Sequence, residues 1–144
     1  TSPEHRRELI EHPDRIPAAV EELLRRFPVV NQGRVVVSDF EYKGVAMRAG
    51  DQIIMPTTLH GLDDRKFDDP LRVDFSRPTP IHSTFGNCAH RCPGSLLART
   101  ELKIFLEEWL KRIPEFRIKP GATPGVRAGV NATIYSLPLV WDVT

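Results

Sequence analysis

Phe85-Gly86-Asn87-Cys88-Ala89-His90-Arg91-Cys92-Pro93-Gly94 runs directly into an unbroken helical pattern from Ser95 to Arg112. This junction governs how the rest of the chain is read. A cysteine just ahead of a helix lies near the positive end of the helix dipole and near backbone N–H groups that lack intrahelical partners. Both favour thiolate, the form of cysteine that ligates metals. Gly86 and Gly94 allow the backbone to approach a flat ligand closely, and Arg91 adds positive charge. The residues alone make Cys92 a candidate thiolate ligand and leave three other readings open. Cys88 and Cys92 could be small buried hydrophobes. They could join His90 at zinc, although C-x-H-x-C is not a usual zinc spacing. They could form a redox pair, although C-x-x-x-C departs from the familiar C-x-x-C.

Downstream, Leu97, Phe105, Leu106, Trp109, Leu110 and Ile113 supply the apolar positions of the long helix, which Pro114 ends. Residues 116–118, 125–130 and 133–140 read as closing strands between Gly and Pro turns. Upstream, residues 61–81 are rich in Asp, Pro and Arg and show no sustained period, as in a long functional loop. Three short strands are expected before it, over 34–38, 40–45 and 50–56. Two helices open the chain. The first starts at Ser2-Pro3 and stops at Pro13. The second is capped by Asp14, tolerates Pro17 in its first turn, and carries the apolar stripe Ile16, Val20, Leu23, Leu24 and Phe27. The expected fold is mainly α with small β-sheets (α+β).

The chain has 144 residues, 40% hydrophobic and 27% charged, which is a globular balance. A net charge of +1 gives no footing for a nucleic-acid binder. No apolar run approaches the roughly 18 residues of a membrane span. Two cysteines in one short loop point to chemistry rather than stapling, and to a reducing, cytoplasmic setting. Prolines and glycines are spread out rather than gathered in a linker, so the whole of 1–144 reads as one continuous piece of a larger structure.

The loop resembles the signature of the cytochrome P-450 family, F-x-x-G-x-H/R-x-C-x-G, through Phe85, His90, Cys92 and Gly94. Upstream, Glu22-Leu-Leu-Arg25 matches the family's E-x-x-R, and Arg77 in Asp74-Phe-Ser-Arg77 matches the arginine of the following loop. Stretches such as Glu21-Glu-Leu-Leu-Arg-Arg-Phe27 and Leu137-Pro-Leu-Val-Trp-Asp142 are similar to the bacterial camphor-hydroxylase subfamily. The resemblance implies the C-terminal part of a haem-thiolate monooxygenase holding haem b (iron protoporphyrin IX), with Cys92 as axial ligand. It places Arg34 and His90 as propionate donors, Phe85, Gly86, Gly94 and Ala98 against the haem, and Glu22, Arg25 and Arg77 in a buried network beneath the loop. It further implies a small hydrophobic, terpenoid-like substrate near Val30, Val130 and Asn131, O2 as co-substrate, and electrons from a [2Fe–2S] ferredoxin with its reductase. That partner would dock where Asn87, Arg91 and Thr79 lie.

Three positions depart from the pattern. Cys88 replaces the motif's usual glycine, Gln32 stands where the subfamily has an acidic propionate partner, and Asn131 stands where it has an apolar substrate contact. Asn131 could meet a polar substrate or bond to its own turn. The resemblance covers roughly the last third of a family member, so the distal oxygen-binding helix is expected outside this chain and no proton donor can be named in it. Two alternatives accompany this reading: peroxygenase or isomerase chemistry on the same haem fold, and a non-enzymatic zinc module built on Cys88, His90 and Cys92.

Overall fold

A computed structural model describes residues 2–78 and 80–142. Helix α1 (Pro3–Glu11) begins with proline in its first turn and stops ahead of Pro13. A 3₁₀ turn over Pro13–Arg15 leads into α2 (Ile16–Arg26). The helix therefore starts one residue later than an Asp14 cap would place it. Arg15 is its N-terminal flank, and no side chain caps it. Pro17 falls in the first turn, where a missing N–H costs nothing.

Strand β1 (Asn31–Val35) pairs antiparallel with β4 (Gln52–Pro56), setting Arg34 opposite Ile53. The strand begins three residues before the expected one, because polar Asn31, Gln32 and Gly33 enter the ladder through their backbones. Nested inside is the hairpin of β2 (Phe40–Tyr42) and β3 (Val45–Met47). Lys43 and Gly44 have φ of 52° and 80°, the two positive values of a tight hairpin turn. That turn splits what reads as a single strand over 40–45. A short helix α3 (Thr57–Gly61) follows β4, and the chain then runs without regular structure to a 3₁₀ turn at Cys88–His90.

Helix α4 occupies Ser95–Arg112, as the sequence predicts. The closing strands are β5 (Arg117–Ile118), β6 (Gly125–Arg127), β7 (Thr133–Ser136) and β8 (Leu139–Val140). β5 pairs with β8 and β6 with β7. The expected single strand over 133–140 is thus two strands with different partners, broken at Leu137-Pro138. Proline has no N–H to give to a ladder.

The core lies where α1, α2 and α4 meet: Leu9, Ile16, Ala19, Val20, Phe75 and Leu110, flanked by Leu23, Leu24, Leu106 and Trp109. Trp109 also packs edge-on against Phe116 and Trp141, tying the closing strands to α4. Elsewhere the surface is open. The chain exposes 10584 Å², against about 7,500 Å² for a self-contained protein of this mass. Much of the exposed area is apolar: Leu96, Leu97 and Phe105 on α4, Ile54 in the first sheet, and Val126, Val130 and Ile134 in the last hairpin. No helix among the described residues is long and apolar enough to cross a membrane.

Candidate functional site

The cysteine loop closes on itself through its backbone. The Cys92 N–H donates to the Phe85 carbonyl at 2.7 Å, Gly86 N–H to Ser83 at 2.9 Å, and Arg91 N–H to Cys88 at 3.1 Å, while the Cys92 carbonyl accepts from Ser95 at the head of α4. Gly86 has φ +73°, and a Cβ there would stand 2.8 Å from Gln32 Nε2 and 2.9 Å from the His90 carbonyl. Only glycine fits that conformation and that approach. Cys88, in the motif's usual glycine position, has φ +54°. The departure puts a side chain into the left-handed region, at a cost of about 1 kcal/mol.

Cys92 opens onto a cavity of about 770 Å³, within the range of small-molecule and cofactor sites. Arg34, Phe85, His90, Ala98 and Val30 line the same cavity, as do Leu24, Val29, Leu102 and Phe105. The structure thus gathers a cysteine sulfur, apolar walls and two nitrogen-bearing side chains around one space. A flat apolar cofactor carrying anionic groups fits that donor set. Arg34 is fixed by its own neighbours, donating to the Gly33 carbonyl at 2.7 Å and to Gln32 Oε1 at 3.3 Å. The His90 ring makes no protein hydrogen bond among the described residues and is exposed. Gly86 and Gly94 shape the loop without lining the cavity; a Cβ on Gly94 would lie 3.7 Å from the Cys92 sulfur.

Val130 lines an adjoining cavity of about 670 Å³ that shares Gln32, Arg34 and His90 with the first. Asn131 lines neither, and its backbone forms an isolated bridge with Val30. Asn31 and Ala132 N–H groups donate across this join to Val130 and Val29. Asn87 and Arg91 line a separate recess of about 310 Å³ beside Cys88. Thr79 lies outside the described residues.

The three charges picked from the sequence meet in space. Glu22 and Arg25 are fully buried, and Arg25 forks onto the Glu22 carboxylate with two bonds of 2.7 Å. Arg25 also donates to the carbonyls of Gly61, Pro70 (2.9 Å) and Arg72 (3.1 Å). Arg77 approaches Glu22 at 3.4 Å and bonds to the Asp68 carbonyl. Asp74 N–H completes the set at 3.1 Å. Burial works to raise the Glu22 pKa, but the Arg25 hydrogen bonds, the Asp74 N–H and the two arginine charges together hold it below the usual carboxylate value. One carboxylate therefore pins the irregular 61–77 segment onto α2.

A second cluster was not legible in the sequence. Glu21, next along α2, accepts from Arg99 at 2.5 and 3.1 Å and from His82 Nε2 at 3.2 Å. Arg99 lies over the Phe85 ring at 4.8 Å. Burial lowers the His82 pKa, and Arg99 and His60 lower it further against the opposing pull of Glu21. Burial raises the Glu21 pKa, yet Arg99 and His82 bring the net value down. The partners are 61 and 78 residues apart, so no local spacing reveals them. Glu101, also missed, lines the large cavity; its place three residues after Ala98 on α4 was the available signal.

Both cysteines are exposed and free. Among the described residues no three His, Cys, Asp or Glu side chains converge to hold a metal ion, so Cys88, His90 and Cys92 do not form the zinc cage of the alternative.

A family model described as Cytochrome P450 matches residues 12–125, a stretch that includes Cys92. Probable cytochrome P450 127A1 of Sinorhizobium fredii is 39% identical over 140 residues, 97% of this chain and 34% of that protein. Nocardicin C N-oxygenase of Nocardia uniformis is 36% identical, over 92% of this chain and 35% of the relative. Among solved structures, cytochrome P450 CYP101C1 superimposes with a TM-score of 0.92 and 44% identity, over 99% of this chain and 37% of that one. The chain spans about a third of the length of the curated relatives it matches.

Proposed function

The chain belongs to the cytochrome P450 family, and from that premise we propose that it is the C-terminal, haem-ligating part of one larger domain, with Cys92 as axial ligand to the iron of haem b. The observation that carries this reading is the single cavity shared by Cys92, Arg34, His90, Phe85 and Ala98. Thiolate-bound haem, when present, supplies the chemistry for inserting one atom of O2 into a C–H bond. The chain's own residues bind, orient and support. Cys92 would hold the metal from a loop closed by its own backbone hydrogen bonds. Arg34 and His90 would donate to the carboxylates of the macrocycle, where hydrogen-bond donors offset the loss of water. Ala98 would let α4 approach the ring, and Gly86 keeps the cysteine loop tight. Glu22, Arg25 and Arg77 hold the segment that carries the loop.

The proposed substrate is a small, apolar, terpenoid-like molecule, reached from the side of Val30, Val130 and Asn131. Its support is the apolar lining by Val29, Val30, Leu102 and Phe105. Solved relatives include a P450 in complex with mycinamicin IV, so substrate size is the finer question. Exposed Arg91 and Asn87 form the proposed docking face for a [2Fe–2S] ferredoxin, with Arg91 meeting acidic groups. The setting proposed is the cytoplasm. Metal and cofactor content of the natural full-length protein tests the reading. Haem iron equimolar with protein, sharply reduced in Cys92→Ala, is the expected result; zinc without haem contradicts it.

A further inference from the structure

We propose that Glu21, Arg99 and His82 form a positioning set for the Cys92 sulfur, acting through Phe85. The proposal rests on Cys92 being the iron ligand. Phe85 touches the cysteine directly, since its carbonyl accepts the Cys92 N–H at 2.7 Å. Its ring lies under the Arg99 guanidinium, 4.8 Å from the charge centre, a contact that orients an aromatic ring. Arg99 is itself immobilised, forked onto Glu21 at 2.5 and 3.1 Å and bonded to the Ser95 carbonyl at 3.2 Å. Planar forked pairs of this kind fix geometry as well as charge.

His82 secures the other approach to Phe85. Its Nδ1 accepts the Thr84 N–H at 3.3 Å, so Nε2 carries the proton and donates to Glu21 at 3.2 Å. The Thr84 hydroxyl donates to the Leu24 carbonyl on α2 at 2.6 Å. Residues 82 to 84 are thereby tied to α2 by two side-chain hydrogen bonds. None of Glu21, His82 or Arg99 lines the cavity that Cys92 opens onto; they line the small recess instead. Their direct contact with the cysteine loop is the Arg99–Phe85 stack, beside the Arg99 bond to Ser95. Glu22, the next residue, serves the 61–77 segment, so adjacent carboxylates on α2 hold two different pieces of chain.

The test uses the haem-loaded, full-length protein. Its readouts are the reduction potential and the share of the reduced carbon-monoxide complex showing the red-shifted, thiolate-type Soret band, with thermal unfolding measured alongside. Arg99→Met is expected to raise the unshifted share several-fold and move the potential. Arg99→Lys keeps the charge but not the fork and should fall between the two; it also reads the effect should Arg99→Met not fold. Glu21→Gln should move both readouts in the same direction and add nothing to the Arg99→Met change. A lowered unfolding temperature with parental band share and potential would overturn the proposal, as would additive effects of Glu21 and Arg99. A parent with no red-shifted band would remove the Cys92 reading itself, and this inference with it.

Discussion

The segment from residue 61 to 94 and the β2–β3 hairpin are opposite solutions to holding a chain in place. The hairpin is regular, laddered and exposed, and its residues Phe40 to Val45 face solvent. The 61–94 segment has almost no regular structure, yet Phe67, Phe75, Thr84 and Gly86 within it are buried. Side chains from α2 make the difference. Arg25 alone caps three carbonyls of this stretch, and Glu22 accepts a backbone N–H from it. Buried backbone groups must find partners somewhere, and here charged side chains replace a neighbouring strand. An irregular path can then be held fixed without a ladder.

The strongest way to break this contrast is to remove the clamp. Arg25→Met leaves the buried Glu22 carboxylate with only Arg77 at 3.4 Å and the Asp74 N–H and frees three carbonyls, and is expected to cost about 3 kcal/mol in denaturant unfolding. That is a large part of the total stability of an ordinary domain. A cost below about 1 kcal/mol would show that the segment is held by packing alone.

Acid should loosen the clamps stepwise. His82 has its pKa lowered below the ordinary 6.5. The unfolded chain therefore takes up that proton first, and stability declines as pH falls below about 6.5. Glu21 and Glu22 lie below their ordinary 4.5, so the stability they contribute is present above that value and drains away as pH drops through their folded pKa values. Unfolding midpoints measured from pH 8 to 3 should show both declines, and His82→Gln should lose the first. A flat profile between pH 7 and 5 in the parent would contradict the His82 assignment.

Two residues with positive φ allow a finer comparison, Cys88 in the clamped segment and Lys43 in the hairpin. Cys88→Gly should stabilise by about 1 kcal/mol, because glycine adopts the left-handed conformation without a Cβ penalty. Lys43→Asn, a residue suited to the first position of such a turn, should gain only about 0.5 kcal/mol, as exposed substitutions do. Thermal unfolding of both variants measures the difference, and a destabilised Cys88→Gly would show that the thiol contributes packing the backbone strain conceals.

What the sequence disclosed follows the same division. The long helix was legible, since Gly94 and Pro114 bracket an uninterrupted pattern. Cys92, Glu22, Arg25 and Arg77 were picked out through the family resemblance of their motifs. The start of β1 was not, because Asn31 to Gly33 pair through backbone atoms that side-chain patterns do not report. Nor was the division of 133–140, where Pro138 breaks one apparent strand into two. The Glu21–Arg99–His82 cluster was hidden most deeply. Each member reads as an ordinary surface charge until the fold brings residues 21, 82 and 99 together.

The central claim is that Cys92, and not its neighbour Cys88, is the thiolate facing the cavity. The most direct measurement is the carbon-monoxide difference spectrum of the dithionite-reduced full-length protein beside Cys92→Ala and Cys88→Ala. The account predicts a red-shifted Soret band in the parent and in Cys88→Ala, and its loss in Cys92→Ala. A band that survives without Cys92, or disappears without Cys88, would contradict it.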